Sequence, residues 1–149
     1  MKINSKYFNF NDQIKYINNI AFSRYNGWSG LSVSKFLIPK DEEINNLRLN
    51  EFFPDLIEKE KIFVIVKGNI DFKSKDLEEN LINLDAVDVT SKKIDYNFKA
   101  KSDSSIFMIS SIKSKITEEK TIKFNFKKDI EARNLWGGQI ISRPNEGKE

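Results

Sequence analysis

Hydrophobic residues in this chain fall into short, strand-like runs separated by polar breaks. Apolar and polar residues alternate over residues 31–38 before the run becomes fully apolar, and residues 61–68 form a continuous β-branched and aromatic run. The first pattern predicts a strand with one buried face, and the second a strand covered on both faces. Further strands are predicted at residues 70–72, 80–89, 93–101, 104–112, 121–128 and 137–144. So many short strands predict an all-β sandwich or jelly roll.

Helical periodicity is confined to the N-terminal segment. Ile14, Ile17 and Ile20 recur at intervals of three within "NDQIKYINNIAF", and Asn11 is a residue type that caps helices. We therefore expect a short N-terminal helical segment. In "LNEFFPDLIEK", Pro54 interrupts the pattern and predicts a loop or a single turn.

The composition narrows the chemistry that the chain can perform. The 149 residues suit one domain of ordinary size and include neither cysteine nor histidine. Disulfides, thiolate or imidazole metal sites and cysteine- or histidine-based catalysis are therefore excluded. Carboxylates, lysine, tyrosine and hydroxyls are the remaining candidates for acid, base or nucleophile. We expect no metal and no cofactor.

Charge and hydropathy indicate the surroundings of the chain. The net charge at pH 7 is +3, and lysine and glutamate alternate rather than cluster, so nucleic acid is not an expected partner. No apolar run approaches the ~20 residues that span a bilayer, and the N-terminal segment lacks the apolar core of a signal peptide. We expect no membrane association and a cytoplasmic location.

The stretch "KIFVIVKGNIDF", residues 61–72, resembles the centre of the cupin family. Cupins place two histidines one residue apart, then a glutamate, before a buried strand that ends in glycine. The turn predicted at Gly68 and Asn69 fits this strand–turn–strand order. "AVDV" stands where the family has a Gly-Asp turn, with Asp88 retained and Val87 in place of the glycine. The resemblance covers residues 27–112 and implies a cupin-type double-stranded β-helix, that is, a jelly-roll barrel.

The chain departs from the cupin pattern at every metal ligand. Lys61 stands at the glutamate position, the paired histidines would fall at residues 54–57, and the third histidine would fall at Asn97 or Phe98. None of these residues supplies the imidazole that a first-row metal needs. Carboxylates in this region, Asp55 among them, are interpreted as surface charges on a polar loop or as weak ligands for a hard cation.

Five residues are candidates for binding a ligand. The resemblance implies that Lys61 points into the barrel mouth, where it would bind a carboxylate or phosphate or form a Schiff base; alternatively it extends out to solvent. Arg24 and Trp28 lie in "RYNGWSG", a mixture suited to a sugar or an anion, or to packing at an edge strand. Tyr96 and Asn97 complete the set. No catalytic residue is assigned.

The chain changes character after residue 112. We expect a cupin-like barrel without metal ligands at residues 1–112, and a linker plus extra strands at residues 113–149. These strands either wrap on this barrel or exchange with a partner chain. The favoured alternative is that they begin a truncated second cupin barrel.

The resemblance and its departures together predict a metal-free, catalytically silent cupin domain. Its expected role is structural support, dimerisation or binding of a small polar ligand such as a sugar or an organic acid. Its expected partners are that ligand and a second copy or a second cupin domain. The alternative is one half of a bicupin enzyme of isomerase, lyase or dioxygenase type, whose metal site lies in a missing second barrel. A metal-free site at Lys61 and Tyr96 is the other enzymatic alternative.

Overall fold

The computed structural model describes residues 8–25, 30–89, 94–111 and 121–126. The predicted strand at 137–144 and the candidate Trp28 lie outside these ranges. The described elements are, in chain order, β1 (Lys15–Ile17), β2 (Ile20–Tyr25), β3 (Leu31–Ile38), β4 (Glu43–Asn45), α1 (Asn46–Phe52), a 3-10 helix (Pro54–Leu56), β5 (Lys61–Lys67), β6 (Ile70–Ser74), β7 (Glu78–Leu81), β8 (Asp85–Val89), β9 (Tyr96–Ala100), β10 (Ser104–Ser111) and β11 (Thr121–Asn125).

The described strands form two antiparallel sheets, which are not hydrogen-bonded into one closed barrel. The larger sheet has the order β1-β2-β3-β10-β5-β8-β11, and the smaller has the order β4-β9-β6-β7. Large side chains from both sheets form one buried hydrophobic cluster. The predicted all-β architecture is therefore confirmed, and the predicted strands at residues 31–38 and 61–68 become β3 and β5.

The predicted N-terminal helix is wrong, because this segment forms the β1–β2 hairpin. Ile17 and Ile20 are directly paired across a two-residue turn, in which Asn18 has a left-handed backbone (φ 54°). Both isoleucines are 1% exposed, whereas Ile14 is 40% exposed. Residues three positions apart are neighbours on a helix, and the two residues that flank a two-residue hairpin turn are also three positions apart.

The turn predicted after β5 is confirmed. Gly68 has φ 98°, a conformation that only glycine adopts without strain. A Cβ atom built at this position would lie 2.7 Å from the carbonyl oxygen of Asp103. The backbone of the β5–β6 turn therefore packs directly on the start of β10.

The segment around Pro54 contains more helix than the sequence indicated. Helix α1 precedes the proline, and the side chain of Asn45 caps it by accepting a hydrogen bond of 2.8 Å from the backbone N–H of Arg48. Pro54 then begins the 3-10 helix, where its missing N–H costs no bond. Only this second part matches the predicted single turn.

Residues 80–89, predicted as one strand, form parts of two strands. A turn containing Leu84 (φ 66°) separates β7 from β8. Val87 and Asp88, interpreted above as standing at a Gly-Asp turn, instead lie within β8, which pairs with β5 on one side and β11 on the other. Valine suits this strand because its branched side chain packs well on a pleated surface.

Candidate functional site

Lys61 begins β5 on the inner face of the larger sheet. Its cross-strand partners are Ser110 and Val89, and the residue is only 6% exposed. The Nζ atom donates hydrogen bonds to the carbonyl oxygens of Leu56 and, at 3.0 Å, of Lys59. The ammonium group is therefore turned inward and ties β5 to the segment that precedes it.

Burial changes the protonation of Lys61. Removal from water disfavours the charged form and lowers the pKa of Lys61 to about 8, while the nearby carboxylate of Asp55 partly opposes this shift. The neutral amine is therefore more populated at Lys61 than at an ordinary lysine. A lysine whose pKa is lowered in this way is a better nucleophile than an ordinary surface lysine.

Arg24, on β2, makes a two-pronged ion pair with Asp55 of the 3-10 helix. The Nη1–Oδ1 distance is 3.0 Å and the Nη2–Oδ2 distance is 2.5 Å. The guanidinium also donates from Nε to Ser32 Oγ at 2.9 Å and lies 5.2 Å from the ring centre of Phe53. The hydrogen bonds from Arg24 hold the pKa of Asp55 below its usual value. This is geometry suited to holding a carboxylate.

The fold thus brings two of the five candidates to one place, around a carboxylate. We refer to Arg24, Asp55 and Lys61 as the cation cluster. Sequence reasoning interpreted Asp55 as a surface charge, and its role in the cluster was missed. Asp55 lies 31 positions from Arg24 along the chain. No local pattern signals a contact between a strand and a turn at that separation.

Tyr96 lies in an aromatic cluster inside the fold. It is 6% exposed, and its ring centre is 5.7 Å from that of Phe63. Phe98 is fully buried, with ring centres at 4.7 Å from Phe63 and 5.0 Å from Phe72. Burial raises the pKa of Tyr96 well above its ordinary value. Of the two positions expected for the third cupin histidine, Asn97 and Phe98, the second is thus buried among aromatic rings.

Asn97 lies beside Tyr96 but belongs to the surface. Its Nδ2 donates to Glu43 Oε1 at 2.9 Å. With Tyr96, Asn46 and Lys73 it lines an open groove of about 440 Å³ at the end of the smaller sheet. The four candidates that the structure describes therefore occupy two places, the cation cluster and this groove.

The described residues contain no group of three or more acidic side chains close enough to hold a metal ion. Among the same residues, no helix is long and apolar enough to cross a membrane.

The likeness to known proteins lies in the fold rather than the sequence. No family model matches the chain, and no curated protein sequence matches it. Solved structures do match. A cupin 2 conserved barrel domain protein from Leptotrichia buccalis is 16% identical with a TM-score of 0.54, over 77% of this chain and 47% of its own. KdgF from Halomonas is 12% identical with a TM-score of 0.58, over 74% and 96%.

An oxalate decarboxylase from Bacillus subtilis also matches, at 8% identity and a TM-score of 0.54, over 70% of this chain and 28% of its own. The fold is therefore the cupin-type jelly roll, and the similar structures include an enzyme. The chain spans about half the length of the Leptotrichia protein, at 47%, and nearly all of KdgF, at 96%.

Proposed function

We propose that this chain is a metal-free cupin domain without catalytic activity, whose role is structural support, dimerisation or binding of a small polar ligand. The observation that carries the proposal is the content of the fold's interior. Phe63, Phe72, Tyr96 and Phe98 pack together where the resemblance puts a metal ligand, and Lys61 stands at the glutamate position with its amine bonded to backbone carbonyls.

The physical argument concerns what this interior accepts. Protein interiors pack as densely as organic crystals, so four neighbouring aromatic rings leave little room for a substrate. A first-row metal ion needs imidazole, thiolate or carboxylate donors, and a lysine ammonium has no lone pair to give. A ligand is better accommodated at the cation cluster, which carries charge and hydrogen-bond donors.

Metal analysis tests the proposal directly. We expect the purified protein, after incubation with Mn²⁺, Fe²⁺ or Zn²⁺ and desalting, to retain far less than one equivalent of metal. The matched control is a metal-binding cupin carried through the same steps. Stoichiometric retention of any of these metals would contradict the proposal, as would turnover of any compound in a panel of sugars and organic acids that is also screened by thermal shift.

A second candidate is the bicupin enzyme, in which the catalytic metal site lies in another barrel that begins after β11, since β11 pairs with β8 of this fold. The Leptotrichia protein, of which the chain spans 47%, is long enough for two such barrels, whereas KdgF, of which the chain spans 96%, is not. Sequencing the coding DNA past the codon for Glu149 tests it. A continuing frame with a histidine pair and a glutamate supports this candidate, and an immediate stop codon contradicts it.

A further inference from the structure

The open groove at the end of the smaller sheet offers a second place for a polar ligand, besides the cation cluster. It holds about 440 Å³ and lies where β4 and β6 end and β9 begins. Three side chains in its lining can bond to a ligand, namely Asn46, Lys73 and Asp95, and Leu47 adds an exposed aliphatic surface. The groove shares no lining residue with the cation cluster, so the two places differ in chemistry.

Asn46 gives the groove a fixed and largely buried amide. The residue is 8% exposed, its Nδ2 donates to Asp95 Oδ1 at 3.0 Å, and its Oδ1 accepts from the backbone N–H of Tyr96 at 2.9 Å. These bonds hold the amide in place and leave one N–H of Nδ2 and one lone pair of Oδ1 without a partner among the residues that the structure describes. An amide held in this way loses little side-chain entropy when a ligand bonds to it.

Asp95 and Lys73 add an acceptor and a donor. Asp95 is exposed, and its Oδ2 accepts no hydrogen bond within the described part of the chain. The exposed Lys73 makes no ion pair there either, and Lys75 also lines the groove. An anion would lie beside the Asp95 carboxylate, and a cation beside the two lysines. An uncharged ligand with hydroxyl groups meets neither repulsion, because a hydroxyl both donates and accepts.

The two neighbouring grooves have more of their charge paired within the chain. In one, Arg48 pairs with Glu51 at 2.7 Å. In the other, the Asp71 carboxylate accepts from Asn80 at 2.8 Å and pairs with Lys101 at 3.6 Å. A ligand that bonded to these groups would replace existing bonds, whereas in the groove of Asn46 it would add new ones.

We propose that this groove binds an uncharged sugar, whose hydroxyl groups bond to Asn46, Lys73 and Asp95. The inference deepens the ligand-binding role proposed above and rests on it. A sugar ring carries hydroxyl groups around its rim and C–H groups on its faces, and Leu47, which is 63% exposed, offers an apolar contact for such a face. The volume lies in the range of ~300–1,000 Å³ that is usual for small-molecule sites. Because the groove is open, we expect weak affinity.

Titration with glucose, galactose and mannose tests the proposal. Binding is followed by amide chemical shifts in the ¹⁵N-labelled full-length protein, with glycerol as the control for unspecific contact with hydroxyl groups. We expect at least one sugar to shift the amides of the groove, and Asp95→Ala to weaken its binding about tenfold. The matched control is Asp71→Ala, which removes a carboxylate that likewise accepts from an asparagine side chain, and which should leave the affinity unchanged.

Two further variants separate binding from structure. Leu47→Asp changes an exposed side chain, so it should leave thermal stability nearly unchanged while weakening sugar binding severalfold. If Asp95→Ala does not fold, Asp95→Asn decides. Its Oδ1 still accepts from Asn46, but a donor replaces the free acceptor, and we again expect weaker binding.

Two outcomes would overturn the sugar site. One is that no sugar of the panel shifts the amides of the groove beyond the effect of glycerol. The other is that Asp95→Ala and Asp71→Ala affect binding equally. Glucuronate is titrated as a charged probe, and its binding in the absence of any binding of the neutral sugars would likewise contradict the proposal. All of these outcomes leave the metal-free role standing, whereas stoichiometric metal would overturn that role whatever the sugar titrations gave.

Discussion

Lys61 bears an ionisable amine at a place with little access to water. Its pKa falls from 10.5 to about 8 because burial disfavours the charge. Below pH 8 both the folded and the unfolded chain carry this proton, so folding must bury the ammonium. Between about pH 8 and 10.5 the unfolded chain binds more protons than the folded one. Stability therefore rises with pH across this window, and the contribution levels off above it.

We predict that Lys61→Met removes this pH dependence. In urea denaturation at a series of pH values, the free energy of unfolding of the wild type should rise between pH 8 and 10.5, relative to the variant, by up to about 3 kcal/mol for the shift from 10.5 to about 8. The control is Lys67→Met on the same strand, where Lys67 is exposed and the wild-type trend should persist. Parallel pH profiles for wild type and Lys61→Met would contradict the burial of this charge.

Gly68 is the residue on which the turn between β5 and β6 depends. Gly68→Ala adds a Cβ atom to a backbone with φ 98° and forces it against β10. We predict a loss of roughly 2 kcal/mol or more in the free energy of unfolding, measured by chemical denaturation. Lys67→Ala, one position earlier and exposed, should change the stability by less than about 0.5 kcal/mol. Equal effects of the two substitutions would show that the turn relaxes.

At the level of elements, the aromatic cluster joins the two sheets. Phe98 of β9 contacts Phe63 of β5, which belongs to the other sheet. We predict that Phe98→Ala lowers the free energy of unfolding by about 3–5 kcal/mol. The substitution leaves a cavity between the two sheets, and the surrounding strands can move only partly into it. Thermal and urea unfolding would measure the loss.

The control for Phe98 is Phe52→Ala, at the end of α1. Phe52 is 38% exposed, so its replacement should cost about 1 kcal/mol or less. If Phe98→Ala were equally mild, the interior would be loose enough to admit a ligand, and the proposed function would need to include an internal pocket.

Two errors of the sequence analysis concern whole elements: the β1–β2 hairpin was predicted as a helix, and α1 was predicted as part of a loop or a single turn. Apolar residues three positions apart fit two local structures, one face of a helix or the two flanks of a two-residue turn. The pairing of β2 with β3 selects the turn. For α1 the signal was present in Asn45, a capping residue, but the following Phe-Phe-Pro obscured it. Both errors arise because neighbouring elements, rather than local propensity, chose the conformation.

At the scale of the whole molecule, β11 decides how the larger sheet ends. Thr121–Asn125 pairs along the full length of β8, so this strand packs with the sheet that precedes it in the chain. Without β11, the outer edge of β8 would present unpaired N–H and C=O groups.

Two truncations test this placement. A chain of residues 1–111 lacks β11, whereas its control of residues 1–126 keeps it. We predict that the shorter chain unfolds at a lower temperature and aggregates more readily, as measured by calorimetry and light scattering. Equal thermal stability of the two chains would contradict a structural role for β11 in this sheet.

The sequence by itself determined the strand-rich class, the positions of β3, β5 and β10, and the glycine turn, because these depend on local periodicity and backbone freedom. It also excluded histidine and cysteine chemistry by composition. Only the tertiary structure decided that Asp55 meets Arg24, that Lys61 turns inward, and that Phe98 fills the interior. The physical reason is distance along the chain. Ion pairs and ring contacts between residues tens of positions apart depend on strand order and register, which no local pattern encodes.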